Sequence, residues 1–135
     1  MAPDTGPFVG LVIVSHSRLI AEGTAELAAQ MAGPDVRIVP AGGMADGAIG
    51  TDAARIAEAI GEADAGAGVV VLADLGSAVL ATRTALELLG EPEDVRLSKG
   101  PIVEGAVIAA VQASTGSTLD EVLEAAESAA ALPKG

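Results

Sequence analysis

One imidazole is present in these 135 residues, His16, and it follows an aliphatic run, Val9-Gly10-Leu11-Val12-Ile13-Val14. Such a run, bounded by turn-formers, reads as a strand buried on both faces. Ser15-His16-Ser17 comes next, and a helical pattern begins at about Arg18. A histidine at the carboxyl edge of a strand, beside a helix amino terminus, is placed to meet an anion. Asp74 stands in the same position after a second run, Gly68-Val69-Val70-Val71-Leu72-Ala73. A carboxylate that accepts the Nδ1–H of an imidazole fixes its tautomer and leaves Nε2 as the nucleophile. Gly76, Ser77 and Ala78 open the following helix. Their backbone N–H groups, with the helix dipole, suit an oxyanion near Nε2, such as a transferring phosphoryl group.

These residues also admit plainer readings. Asp74 reads equally as a helix cap, and Ser77 reads as a cap rather than a nucleophile, since no Gly-x-Ser-x-Gly surrounds it. Arg18 reads as a solvated residue of the first helical turn that could also meet a phosphate. The loop Ala41 to Gly50 holds Gly42, Gly43, Gly47 and Gly50 without Walker spacing, and reads either as a flexible segment or as one border of the crevice. Gly43 and Thr51 are its candidate contacts. Lys99 reads as exposed.

The elements that must position these groups alternate between strand-like and helix-like, the pattern of a parallel α/β sheet. After the first strand, Leu19, Gly23, Leu27 and Met31 recur every fourth residue and predict one apolar helix face, ended by Gly33-Pro34. Val36 to Pro40 predicts the second strand. Thr51 or Asp52 caps a helix carrying Ile56 and Ile60. The helix after Asp74 presents Val79, Thr82, Leu86 and Leu89. A shorter strand is expected at Val95-Arg96-Leu97, then an apolar helix from Val103 to Ala113. Gly116 breaks that helix, and Ser117 or Thr118 caps a last one bearing Leu119, Val122, Leu123 and Ala126. The expected fold is a doubly wound, mainly parallel four-stranded α/β sheet of order 2-1-3-4 with helices on both faces. In that order strands one and three are neighbours at the topological switch point, so His16 and Asp74 share one crevice. A single domain over residues 1–135 is expected, with flexible ends at 1–7 and 131–135.

Composition narrows the function. The net charge is −12, with seven scattered Lys and Arg, which argues against nucleic-acid binding. The one aromatic residue, Phe8, offers no stacking platform. There is no cysteine, so disulfides and thiol catalysis are excluded. No signal peptide is recognisable, and the apolar runs fall far short of the ~20 residues of a membrane helix. A soluble cytoplasmic domain without membrane contact is expected.

At four stretches the chain resembles the phosphotransfer subunit of phosphoenolpyruvate-dependent dihydroxyacetone kinase, a branch of the mannose-family enzyme IIA domains. They are Val12-Ile13-Val14-Ser15-His16-Ser17, Ile49-Gly50-Thr51-Asp52, Ala73-Asp74-Leu75-Gly76-Ser77-Ala78 and Pro101-Ile102-Val103-Glu104-Gly105-Ala106. The resemblance implies that His16 takes phosphate on Nε2, the tele nitrogen, from the phosphohistidine of the carrier protein HPr, while Asp74 holds Nδ1. The phosphoryl group then passes to ADP bound to the kinase's nucleotide-binding subunit, which phosphorylates dihydroxyacetone. Neither a metal nor a cofactor is implied for this subunit. The family is commonly homodimeric, and members that carry HPr-like and enzyme I-like domains differ from this chain, for which separate carriers are expected. The compact Asp74 to Ala78 segment favours the kinase branch over the sugar-transport branch. One alternative of another class is a response-regulator receiver phosphorylated on Asp74, which Lys99 would suit. It calls for paired carboxylates after the first strand, where Ser15-His16 stands instead.

Overall fold

A computed structural model describes residues 7–134 of the chain. Four parallel strands, β1 (Gly10–Ser15), β2 (Ile38–Gly42), β3 (Val69–Ala73) and β4 (Val95–Leu97), form one sheet in the order β2-β1-β3-β4. The helices are α1 (Arg18–Ala32), α2 (Ala53–Ala63), α3 (Gly76–Leu88), α4 (Ile102–Ser114) and α5 (Leu119–Ser128), followed by a short 3-10 turn, Ala129–Ala131. This is the expected doubly wound α/β fold. Of the ends expected to be flexible, residues 1–6 and 135 lie outside the described residues. Lys134, within the other end, pairs with Glu104.

The pleat divides the core into two layers, because alternate residues of a strand point to opposite faces. Leu11, Ile13, Val70 and Leu72 pack with Ala25, Ala28, Ala106, Ala109, Ala113 and Val122 of α1, α4 and α5. Val12, Val14, Val69 and Val71 pack with Ile56, Ala59, Ile60, Ala78 and Ala85 of α2 and α3. The central strands are thus covered on both sides, which explains their nearly continuous apolar sequence. Small residues let the helices sit close. A Cβ added at Gly10 would lie 2.1 Å from the Ala63 carbonyl oxygen.

Two sequence expectations need correction. Strand β2 lies two residues later than Val36 to Pro40, because the ladder pairs Leu11 with Ile38 and runs on to Ser15 with Gly42. Val36 is buried ahead of that ladder. More consequentially, the stripe Leu19, Gly23, Leu27, Met31 does not face the core: Leu19 is 71 % exposed and Met31 58 %. The face that α1 buries is Ala21, Thr24, Ala25 and Ala28. Close approach to the sheet and to α4 selects the small residues, although the larger ones carry the stronger hydropathy signal. The predicted face of α3 holds in part: Thr82 is buried and Leu86 packs against the core, but Leu89, just past the helix, is exposed, and Ala78 and Ala85 complete the buried face. Ile56 and Ile60 are buried in α2, as their spacing predicts.

Helix boundaries follow from caps. Ser17 accepts the Ile20 N–H and starts α1; Asp52 accepts the Ala54 and Arg55 N–H groups and starts α2. Thr118 and Glu121 form a capping box at α5. Replacing Gly10 by Ala is expected to lower the unfolding free energy by about 1–3 kcal/mol, the usual range for overpacking, as measured by urea denaturation.

Candidate active site

The carboxyl ends of β1 and β3 bring His16 and Asp74 together. Parallel pairing of Val14 with Ala73 sets the two following residues side by side, and the Asp74 N–H donates to the Val14 carbonyl at 3.1 Å. His16 Nδ1 lies 2.9 Å from Asp74 Oδ1. An ionised carboxylate can only accept, so Nδ1 carries the proton and Nε2 presents its lone pair. Both side chains are mostly enclosed, with 20 % of His16 and 14 % of Asp74 exposed.

Asp74 receives four hydrogen bonds, two on each oxygen. Oδ1 takes the His16 ring and the Leu75 N–H at 2.8 Å. Oδ2 takes the Ser15 hydroxyl at 2.8 Å and the His16 N–H at 3.0 Å. Burial pushes the Asp74 carboxyl up, but the Ser15 hydroxyl, both His16 donors and the Leu75 N–H outweigh it and hold the pKa below the ordinary carboxylate value. In this geometry the Asp74 carboxylate is directed at the His16 ring as well as at the Leu75 N–H. The cap position of α3 belongs to Leu75, which makes no side-chain capping bond.

Ser77, read from sequence as a cap, has its hydroxyl directly on His16 Nε2. Since Nε2 is the acceptor in this tautomer, the serine O–H donates. The Ala78 N–H is engaged by the Leu75 carbonyl at 2.9 Å. No hydrogen bond from the Gly76 or Ser77 N–H is present among the described residues, and both groups belong to the first turn of α3.

The loop between β2 and α2 reaches the site through its backbone. The Gly50 N–H donates to the His16 carbonyl at 2.9 Å, and the Gly43 N–H to the Ser15 carbonyl at 3.2 Å. Gly42 presses on the first turn of α1, where an added Cβ would come 2.6 Å from the Ser17 carbonyl oxygen. Thr51 is half-buried and makes no hydrogen bond among the described residues. Arg18 pairs with Glu22 at 3.1 Å. Lys99 is exposed, and its N–H donates to Glu127, so it is not part of this cluster. Among the described residues no three His, Cys, Asp or Glu side chains gather into a metal-binding group.

Sequence reading missed Ser15. It is the one residue of β1 with a polar side chain, it is fully buried, and its hydroxyl also accepts the Ser17 N–H at 3.0 Å. A hydroxyl at the end of an otherwise aliphatic buried strand is a signal, because buried polar groups require partners.

The family profile EIIA-man, described as PTS system fructose IIA component, matches residues 10–123. The chain belongs to this enzyme IIA family. Within it, the chain groups with DhaM-type proteins. It is 43 % identical over 126 residues to the Providencia stuartii PEP-dependent dihydroxyacetone kinase, phosphoryl donor subunit DhaM, covering 90 % of this chain and 26 % of that protein. It is 38 % identical over 118 residues to the phosphoryl donor subunit DhaM of PEP-dependent dihydroxyacetone kinase 2 from Listeria innocua, covering 86 % of this chain and 94 % of that one. The chain thus spans about a quarter of the first relative and nearly all of the second. A crystal structure of a protein of unknown function, EF1359, superposes with a TM-score of 0.80 at 34 % identity, covering 90 % of this chain and 94 % of that one. The mannose-family enzyme IIA fold expected from the motifs is therefore the family found. No helix among the described residues is long and apolar enough to cross a membrane.

The lowered Asp74 pKa has a pH consequence. The folded carboxyl titrates below the unfolded value of 3.8, so its stabilisation is fully present above that value and is lost as pH falls through the folded pKa. Urea midpoints measured from about pH 5 downward should show a smaller acid loss in Asp74→Asn than in the wild type.

Proposed function

We propose that this chain is a cytoplasmic phosphoryl carrier. It accepts phosphate on Nε2 of His16 from the phosphohistidine of HPr and passes it to ADP held by the nucleotide-binding subunit of a dihydroxyacetone kinase. The observation that carries the proposal is the His16–Asp74 pair, with Nδ1 held and Nε2 turned to the open edge of the sheet. The names of the DhaM relatives supply the kinase. As in family members that pair, the carrier is taken to work as a homodimer.

In the first transfer, the Nε2 lone pair attacks phosphorus in line, the donor's N–P bond breaks, and Nδ1 keeps its proton. The imidazolium so formed faces the Asp74 carboxylate, which offsets its charge. The Ser77 hydroxyl must leave Nε2 as phosphorus approaches, and it can then donate to a phosphoryl oxygen. The N–H groups of Gly76 and Ser77, with the dipole of α3, complete the cradle; Ala78 packs beneath them. Gly43 and Thr51 act at one remove, through the loop that fixes the His16 backbone. In the second transfer an oxygen of the ADP β-phosphate attacks phosphorus, and the electron pair returns to Nε2. The chain's own chemistry needs no metal or cofactor.

Protein partners must approach His16 from the carboxyl edge of the sheet. That edge carries exposed apolar residues from separate elements, Leu19 and Ile20 on α1, Ile49 in the loop and Leu75 before α3. Apolar residues gathered beside a polar reactive centre suit transient docking. A receiver phosphorylated on Asp74 is disfavoured, because both carboxylate oxygens are already engaged by two donors each. The sugar-transport branch shares the histidine chemistry and differs in its acceptor.

Incubation with enzyme I, HPr and phosphoenolpyruvate should add the mass of one phosphate to the wild type. His16→Ala should add none, and Asp74→Asn should acquire it about 10- to 100-fold more slowly with the fold intact. Discharge on adding the nucleotide-binding kinase subunit with ADP tests the second half. A wild type that gains no phosphate would remove the proposal.

A further inference from the structure

Of the buried polar side chains among the described residues, Ser15, Thr24, Thr82 and Ser98, only Ser15 bonds to the catalytic pair. Thr82 returns its hydroxyl to the Ala78 carbonyl, and Ser98 accepts the Gly100 N–H. Ser15 stands at a joint. Its hydroxyl accepts from Ser17 at the start of α1 and donates to Asp74 Oδ2, while its carbonyl accepts from Gly43. The Ser17 N–H satisfies the hydroxyl only as an acceptor, and its one proton goes to the carboxylate. A hydrogen bond donated to the charged form draws electron density from Asp74 and makes it a weaker base.

We infer that Ser15 is a positioning residue that keeps the phosphohistidine reactive by weakening the base that faces it. Nε2 leaves phosphorus readily only while Nδ1 carries its proton, because a protonated imidazole departs as a neutral ring. If Asp74 were more basic, it would draw that proton toward itself, and the phosphorylated ring would approach a neutral phosphoimidazole with a poorer leaving nitrogen. The Ser15 hydroxyl opposes that drift. Its effect thus falls on discharge more than on uptake, since a more basic Asp74 would if anything favour attack by Nε2.

The inference rests on reading His16 as the phosphoryl carrier, so the test uses a chemical donor that requires no protein partner. Phosphoramidate transfers its phosphoryl group to Nε2 as its own P–N bond breaks and ammonia departs. Ser15→Ala should take phosphate from it within about twofold of the wild-type rate. The phosphoprotein should then hydrolyse to inorganic phosphate about three- to tenfold more slowly, followed by 31P NMR. Ser15→Cys, of similar size with a weak donor, should give an intermediate half-life. In an Asp74→Asn background, Ser15→Ala should change the half-life less than twofold, since no charged base remains to be tuned. Half-lives equal to or shorter than wild type in both Ser15 variants, or additive effects with Asp74→Asn, would overturn the inference. A purely structural loss would slow uptake and leave the half-life unchanged or shortened. Should wild-type protein take no phosphate from phosphoramidate, the carrier function fails first. The Nδ1 proton of unphosphorylated protein then reads Ser15 by itself: it should move downfield in Ser15→Ala, and an unmoved resonance refutes the tuning.

Discussion

The carboxylate of Asp74, with two donors on each oxygen, is the constraint around which the carboxyl edge of the sheet is arranged. Three of its four donors come from Ser15 and His16 at the end of β1, and the fourth is the next residue in its own chain. The cluster therefore ties β1 to β3 across 58 residues of sequence. Such a cluster tolerates no slip between the two strands. A shift of one residue would carry His16 to the opposite face of the sheet and replace the pair by a clash of register. Parallel pairing at Val14 and Ala73, with both strands buried on both faces, is what forbids the slip. The aliphatic core and the polar site are in this sense one construction. The packing of Leu11, Ile13, Val12 and Val14 into two separate layers determines where an imidazole two residues beyond Val14 will point.

The legible parts of the fold were those encoded by large β-branched residues and by turn-formers. The runs at Val12 to Val14 and Val69 to Leu72 announce central strands, and their crossovers imply the order 2-1-3-4. From that order the meeting of His16 with Asp74 follows. The less legible parts depend on small residues. In α1 the leucines and Met31 dominate any hydropathy pattern, yet Ala21, Ala25 and Ala28 form the buried face, because the helix lies too close to its neighbours for larger side chains. Burial of a methyl group carries little signal in a sequence, while its consequence for packing is large. Ser15 was hidden for a related reason. Beside a histidine and a second serine it reads as part of a polar turn, and only the register shows that it is still a residue of the buried strand.

The exposed residues of α1 then acquire a different meaning. Leu19 and Ile20 sit at the start of α1, close to His16 in the chain, and Leu27 and Met31 follow along the helix. Scattered surface leucines are ordinary, but a stripe that starts beside a reactive imidazole extends the apolar edge around His16 along one side of the molecule. The net charge of −12 works with such an edge. It repels other acidic surfaces, so contacts are favoured where the charge is sparse or where the partner is basic.

Charge also bears on how firmly a phosphoryl group would be held. A site meant to retain phosphate places lysine or arginine against it, as at many phosphate sites. Here Arg18, the cation nearest to His16 in sequence, pairs with Glu22 on the exposed side of α1, and no lysine or arginine side chain bonds to His16, Asp74 or Ser77 among the described residues. What contacts Nε2 is the neutral hydroxyl of Ser77, in the first turn of α3. In the proposed carrier such a cradle would orient a phosphoryl group by hydrogen bonds without adding the Coulombic attraction that would trap it. Arrival on an already acidic protein adds further repulsion. For the proposed carrier both effects would keep a phosphoryl group on His16 high in free energy, the property that transfer onward to a nucleoside diphosphate requires. The lowered basicity of Asp74 would act in the same direction at the other ring nitrogen, so that in the proposed carrier the two sides of one imidazole favour passage over storage.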